Sequence, residues 1–132
     1  MTPGNPVRYV EIPVTNLNRA VDFYTALFGH TFERVVVDGY PMALFPSLDG
    51  GPGAPAALVM GDIYRPTRDG AVIYHHVPDL ERALALAARL GATVLYPLKD
   101  LGDLGRVAEI EDSEGNRLAL HQPATDAATE TP

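Results

Sequence analysis

The chain has 132 residues, 46% of them hydrophobic and 20% charged, enough for one globular domain with a real core. Seventeen acidic residues against ten basic ones give a formal charge of -7, and no Lys/Arg cluster is interleaved with aromatics, which argues against nucleic acid as a partner. Without cysteine there is no disulfide framework, thiolate metal site or Cys nucleophile, and no apolar run approaches the ~20 residues that span a bilayer.

The opening "MTPGNPVRYV" lacks both a basic n-region and an apolar h-region, which leads us to expect a soluble, cytoplasmic protein. The first predicted strand, "YVEIPV" over Tyr9 to Val14, carries a carboxylate inside an apolar run. Side chains alternate along a strand, so Val10, Ile12 and Val14 share one face while Tyr9, Glu11 and Pro13 share the other. Glu11 is then either bathed by solvent or aimed into a cavity.

"VTNLNRAVDFYTALFG" (Val14 to Gly29) and "VPDLERALALAARLG" (Val77 to Gly91) repeat one another, and each reads as a strand feeding a helix. Asn16 and Asp79 stand where an N-cap belongs, because a short side-chain oxygen there accepts an otherwise unpaired N–H of the first turn. Leu17, Ala20, Val21, Tyr24, Leu27 and Phe28 fall at helical spacing in the first copy, and Leu80, Ala83, Leu84, Ala87 and Leu90 in the second. Gly29 and Gly91 suit the left-handed conformation that ends a helix.

The first helix is followed by the extended segments "TFERVVVDGY", "PMALFP" and "AALVM", the second by "ATVLYPL", "RVAEIED" and "RLALHQ". Both halves therefore read strand, helix, strand, strand, strand. We expect a single α+β domain of two tandem βαβββ modules forming a curved mixed sheet around a cleft, with the first module at 7–60, a linker "GDIYRPTRDG" at 61–70, the second module at 71–122 and a polar tail at 123–132. The loop "SLDGGPGAP" is not a phosphate loop, since no Gly-Lys-Ser/Thr follows; it suits a cover over the mouth of the cleft. No G-x-S-x-G elbow supports a serine hydrolase.

With two βαβββ halves, "EIPVTNLNRAVDFYTALFG" opening the first and "EIEDSEGNRLALHQ" closing the second, the chain resembles the vicinal oxygen chelate superfamily of glyoxalases, bleomycin-resistance proteins and extradiol dioxygenases over roughly residues 7–122. It is most similar to the glyoxalase-like bacterial members. In that superfamily His and Glu from the first, fourth, fifth and eighth strands commonly ligate a divalent ion. Aligned on the repeated motifs, those positions fall at Tyr9, about Leu58, Val72 and Ala119, none of them an imidazole or carboxylate, so no metal is expected at the usual positions and the cofactor is unknown.

One pleat further along each strand the resemblance places Glu11, Tyr74, His76 and His121 on the cleft side, beside Tyr9, Leu58 and Met60. Glu11 and His121 are the candidate acid–base pair, with Tyr9, Leu58, Met60, Tyr74, His76 and Ala119 lining the ligand. A weaker alternative keeps a metal at a displaced Glu11, His76 and His121 cluster. In the bland reading Glu11 is a solvated strand residue, His121 an idle edge residue and the acidic pairs Glu109/Glu111 and Asp112/Glu114 a solvated strand edge and turn. Two functions follow. One is a metal-independent enzyme in which Glu11 or His121 takes a proton from a small carbonyl substrate while Tyr9 or Tyr74 donates to the resulting oxyanion. The other is a binding protein, similar to drug-sequestering members, that holds a cationic or planar ligand without turnover. The resemblance also implies a homodimer.

Overall fold

Each half of the chain passes from strand to helix through a short polar side chain. In this computed structural model, which describes residues 4–46 and 55–124, β1 (Val10–Val14) leads into α1 (Leu17–Phe28), and β5 (Tyr74–His76) into α2 (Leu80–Arg89). Asn16 and Asp79 keep extended backbone, and their side-chain oxygens accept the N–H groups of Arg19 and Arg82 at 3.0 and 3.1 Å. Such a cap is worth about 1 kcal/mol. At the far ends Gly29 and Gly91 adopt φ of +74° and +82°, a region glycine enters without a Cβ penalty.

The remaining strands are β2 (Glu33–Val37), β3 (Tyr40–Leu44), β4 (Ala56–Met60), β6 (Val94–Asp100), β7 (Arg106–Glu111) and β8 (Arg117–Gln122), with a 3-10 turn at Gly102–Leu104. They form two four-stranded mixed sheets in the orders β1-β4-β3-β2 and β5-β8-β7-β6. In each sheet the strand before the helix pairs in parallel with the last strand of its half, and the other pairs are antiparallel. A parallel pair needs a crossover, and the helix is part of it. Asp38 and Gly39, with φ of 55° and 80°, make the tight turn between β2 and β3, where two successive positive φ values match the twist of a hairpin.

The chain divides into two compact units, Met1–Pro66 and Thr67–Pro132. The segment 61–70 contains the division and carries neither helix nor strand. In the first unit one sheet face lies under α1, burying Ile12, Val14, Ala43 and Leu58 with Leu17, Ala20, Phe23, Tyr24 and Leu27. The helix is turned slightly from the expected stripe: Phe23 is buried, while Val21 and Phe28 are only half-buried. In the second unit Ala108, Ile110, Leu118 and Leu120 are buried on the sheet face toward α2, with Leu80, Ala83 and Ala87. Leu90, expected on that stripe, is 40% exposed past the last helical turn. The loop at Ser47 to Pro55, except its last residue, and the tail beyond residue 124 lie outside the described residues, so the cover proposed for the loop has no structural account.

A second motif, "EDSEGN", closes the β7–β8 turn. Asp112, only 6% exposed, accepts the backbone N–H groups of Glu114 and Asn116 at 2.8 and 2.9 Å and the Asn116 amide at 3.1 Å. Asn116 in turn accepts the Thr67 N–H at 3.0 Å, tying the start of the second unit to its last hairpin.

Candidate functional site

The sheet face that α1 leaves uncovered places a carboxylate on an apolar floor. Alternation in β1 sends Ile12 and Val14 toward the helix and Glu11 the other way. Across the parallel β1–β4 pair Glu11 lies beside Ala57, and across β3–β4 Val59 lies beside Met42. Met42, Ala57 and Val59 form a buried cluster on which Val35, Leu44, Tyr40 and Tyr64 pack.

Tyr64 comes from the segment after β4, and its hydroxyl donates to Glu11 Oε1 at 2.8 Å; Tyr9 donates to Glu11 Oε2 at 3.2 Å and lies 3.7 Å from the Met42 sulfur. Gly61 lets the chain turn down onto this face, because a Cβ there would meet the Tyr40 ring at 2.3 Å. The rings of Tyr40 and Tyr64 meet edge to face at 5.2 Å. The carboxylate governs the phenols electrostatically. Its hydrogen bond, followed by desolvation and its charge, pushes Tyr64 up to about 12. Partial burial, then the charge and hydrogen bond of Glu11, raise Tyr9. Both phenols therefore stay protonated donors through neutral pH. Among the described residues no lysine or arginine pairs with Glu11, so the charge is held by neutral donors alone.

In the second unit the face away from α2 carries Tyr74 beside Ala119 and His76 beside His121, with Glu109 and Val107 across the β7–β8 pair. Ala119 is fully buried and supplies a flat floor, while Tyr74 is 53% exposed. The His121 Nε2–H donates to the Leu104 carbonyl at 2.6 Å. Glu109 forms an ion pair with Arg117, whose Nε–H also donates to the Arg68 carbonyl at 3.0 Å. The Glu109 side chain is only 15% exposed.

These placements correct two expectations. Leu58 and Met60 do not line the face that carries Glu11: they lie opposite Ile12 and Val14 in the β1–β4 register and share their face, and Leu58 is fully buried in the first unit's core. The residues beside Glu11 are Ala57 and Val59, one position out of phase with the expectation. Glu109 is not a solvated edge residue, because β7 is an interior strand and its polar face bears the Arg117 pair. The structure brings Tyr9 to Glu11, Tyr74 to Ala119 and His76 to His121. Glu11 and His121 belong to different units, and each makes its hydrogen bonds within its own.

Tyr64 is the residue that sequence reasoning missed. Nothing local marks it, since it reaches a partner 53 positions away from within a segment read as a linker. Glu109 was more accessible: the alternation of Ala108 and Ile110 with Glu109 and Glu111 already puts the two glutamates on one face.

The metal of the superfamily does not fit these residues. The positions to which the sequence resemblance assigns the ligands hold the Tyr9 phenol and the alkyl side chains of Leu58, Val72 and Ala119; the Tyr9 hydroxyl is engaged with Glu11, and Leu58 faces the helix. Among the described residues no group of three or more His, Asp or Glu side chains is placed to hold a metal ion.

Two βαβββ units, each with one sheet face under a helix and the other bearing polar groups on an apolar floor, define a small α+β protein of the vicinal oxygen chelate type. The chain belongs to the glyoxalase/bleomycin resistance protein/dioxygenase superfamily, which matches residues 7–120. It is 30% identical to CFP32 of Mycobacterium tuberculosis, a candidate glyoxylase; the match takes in 90% of this chain but 46% of that protein, so the chain spans about half the length of the curated relatives it matches. Among solved structures, a glyoxylase/bleomycin resistance protein/dioxygenase domain from Frankia sp. EAN1pec superposes with a TM-score of 0.71 at 18% identity over 94% of this chain and 97% of that one. TnmS3, an antibiotic-binding protein from Streptomyces sp. CB03234, superposes with 0.65 at 21% identity over 94% and 100%. Among the described residues no helix is long and apolar enough to cross a membrane.

Proposed function

We propose that the chain is a glyoxalase-like protein that acts on a small carbonyl compound without the superfamily's usual metal, with Glu11 as general base. The observation that carries this is a carboxylate held over Met42, Ala57 and Val59 by two phenol donors from separate segments. When Glu11 takes a proton from the carbon beside a carbonyl, the C–H bond breaks, an O–H forms on Glu11 and the electron pair passes to the carbonyl oxygen. Negative charge leaves the carboxylate and appears on the substrate oxygen. Tyr9 and Tyr64 then lose their charged acceptor and are free to donate to the new oxyanion, so the hydrogen bonds follow the charge. His121, on the open face of the second unit, is the second candidate acid–base group, and Tyr74, His76 and Ala119 are its ligand-lining neighbours. We further propose that the chain works as a homodimer, because β2 and β6 are outer strands of their sheets with free edges.

A second reading is favoured by the absence of a basic partner for Glu11 among the described residues. An uncompensated carboxylate hydrogen-bonded by Tyr9 and Tyr64, with Tyr40 packed edge to face on Tyr64, suits a cationic or planar ligand held without turnover, and the fold is shared with an antibiotic-binding protein.

The test is a thermal-shift screen of small carbonyl metabolites and organic cations against the parent protein and Glu11→Gln, followed by product analysis for each stabilising compound. Turnover of a carbonyl compound, lost in Glu11→Gln, establishes the first reading. Stabilisation by a cation that is lost in Glu11→Gln, with no product, establishes the second. Ligands that stabilise both proteins equally overturn the role of Glu11 in either.

A further inference from the structure

His121 is held by an unusual piece of backbone. The chain leaves β6 at Asp100, whose carboxylate accepts the Gly102 N–H at 2.8 Å, makes one 3-10 turn and re-enters β7 after Gly105. Three features tighten this turn. The Leu101 N–H donates to the Gly105 carbonyl at 2.7 Å, and the Gly105 N–H to the Gly102 carbonyl at 2.9 Å. Gly102 and Gly105 both have positive φ, +69° and +95°. A Cβ on Gly105 would stand 2.3 Å from the Gln122 carbonyl oxygen and 2.9 Å from His121 Nε2. The absence of a side chain at 105 is what allows the turn to lie against β8 and bring the Leu104 carbonyl to 2.6 Å from the imidazole.

A carbonyl oxygen only accepts, so this contact requires a proton on Nε2. In the neutral ring the other nitrogen, Nδ1, must then carry the lone pair. Nδ1 has no hydrogen-bond partner among the described residues. The residues that pair with His121 in the two ladders, His76 on β5 and Val107 on β7, are not carboxylates, and Glu109, on the same face two positions from Val107, is engaged by Arg117.

We propose that the Leu101–Gly105 turn is a positioning device for His121: the Leu104 carbonyl fixes the Nε2–H tautomer, and Gly105 is the residue that permits it, so that Nδ1 is the basic atom the ring presents. Gly105 and Leu104 act through His121 and touch no ligand. The use of Nδ1 as a base rests on the acid–base role proposed above for His121, but the tautomer does not, and it is read without any substrate.

The experiment is a long-range proton–nitrogen correlation spectrum of the 15N-labelled chain, taken at alkaline pH where the imidazole rings are neutral. The expected His121 pattern has a pyrrole-type Nε2 and a pyridine-type Nδ1. A pyrrole-type Nδ1, or nitrogen shifts averaged between the two tautomers as in an unconstrained histidine, overturns the proposal. In the parent protein the Leu104 carbonyl carbon should also shift as His121 titrates, and a flat Leu104 signal would equally overturn it. Gly105→Ala should collapse the pattern toward the averaged one while the His30 and His76 signals stay in place; a folded variant that keeps the Nε2–H pattern removes Gly105 from the role. Where that variant does not fold, the two measurements on the parent decide. If the tautomer holds but His121→Asn leaves turnover intact, the positioning stands and the acid–base role fails.

Discussion

The bond from Tyr64 to Glu11 can be weighed by titration. Tyr64 is pushed up from the ordinary phenol value of 10.0 to about 12, first by its hydrogen bond to Glu11, then by desolvation, then by the carboxylate's charge. Replacing Glu11 with Gln keeps the outline of the side chain but removes the charge and replaces a charged acceptor with a neutral one, so the first and third causes go together while desolvation remains. The Tyr64 titration should fall most of the way back toward 10. The assay is 13C NMR of Cζ-labelled tyrosine in both proteins, with Tyr64→Phe to assign the signal. Stability carries the same information. A phenol whose folded value lies above its unfolded one contributes stability that is fully present below pH 10 and is lost as pH rises through 10 toward 12, because the unfolded chain has released a proton that the native state still binds. The parent should thus lose stability across that window and Glu11→Gln should lose less. A Tyr64 signal that titrates identically in both proteins would refute the idea that the linker tyrosine and the strand carboxylate share a site.

Asp112→Ala leaves two backbone N–H groups and the Asn116 amide without the acceptor they now share, which should cost about 2–4 kcal/mol and lower Tm by about 10 °C; Asp112→Asn, which keeps an acceptor oxygen, should cost less, as denaturant midpoints will show. Leu58→Ala empties a fully buried position in the first unit's core and should cost about 2–5 kcal/mol in the same assay, whereas a Leu58 lining a ligand surface would lose little stability. Light scattering at micromolar concentration should give twice the chain mass of 14.2 kDa, and a monomer would contradict the dimer. Elemental analysis should find no stoichiometric divalent ion, and chelator should leave Tm unchanged; a tightly held equivalent of zinc, nickel, iron or manganese would overturn the metal-free mechanism.

Local chemistry was enough to determine the elements. Asn16 and Asp79 announce helix starts, and Gly29 and Gly91 their ends, because each of these is a contact between residues a few positions apart, set by backbone geometry and short side chains. The period-2 alternation likewise settled that Glu11 and Tyr9 share a face, and that Tyr74 and His76 do, since within one strand the pleat leaves no choice. Relations between strands were another matter. Whether Ala57 or Leu58 stands on the face of Glu11 depends on the β1–β4 register, and a shift of one residue exchanges the faces of a whole strand without altering a letter of its sequence. The reach of Tyr64 to Glu11 and the seat of His121 against the Leu104 carbonyl depend on how loops fold back across a sheet, where groups 53 and 17 positions apart meet. Such contacts are fixed by the packing of the whole unit, and only the tertiary structure decided them.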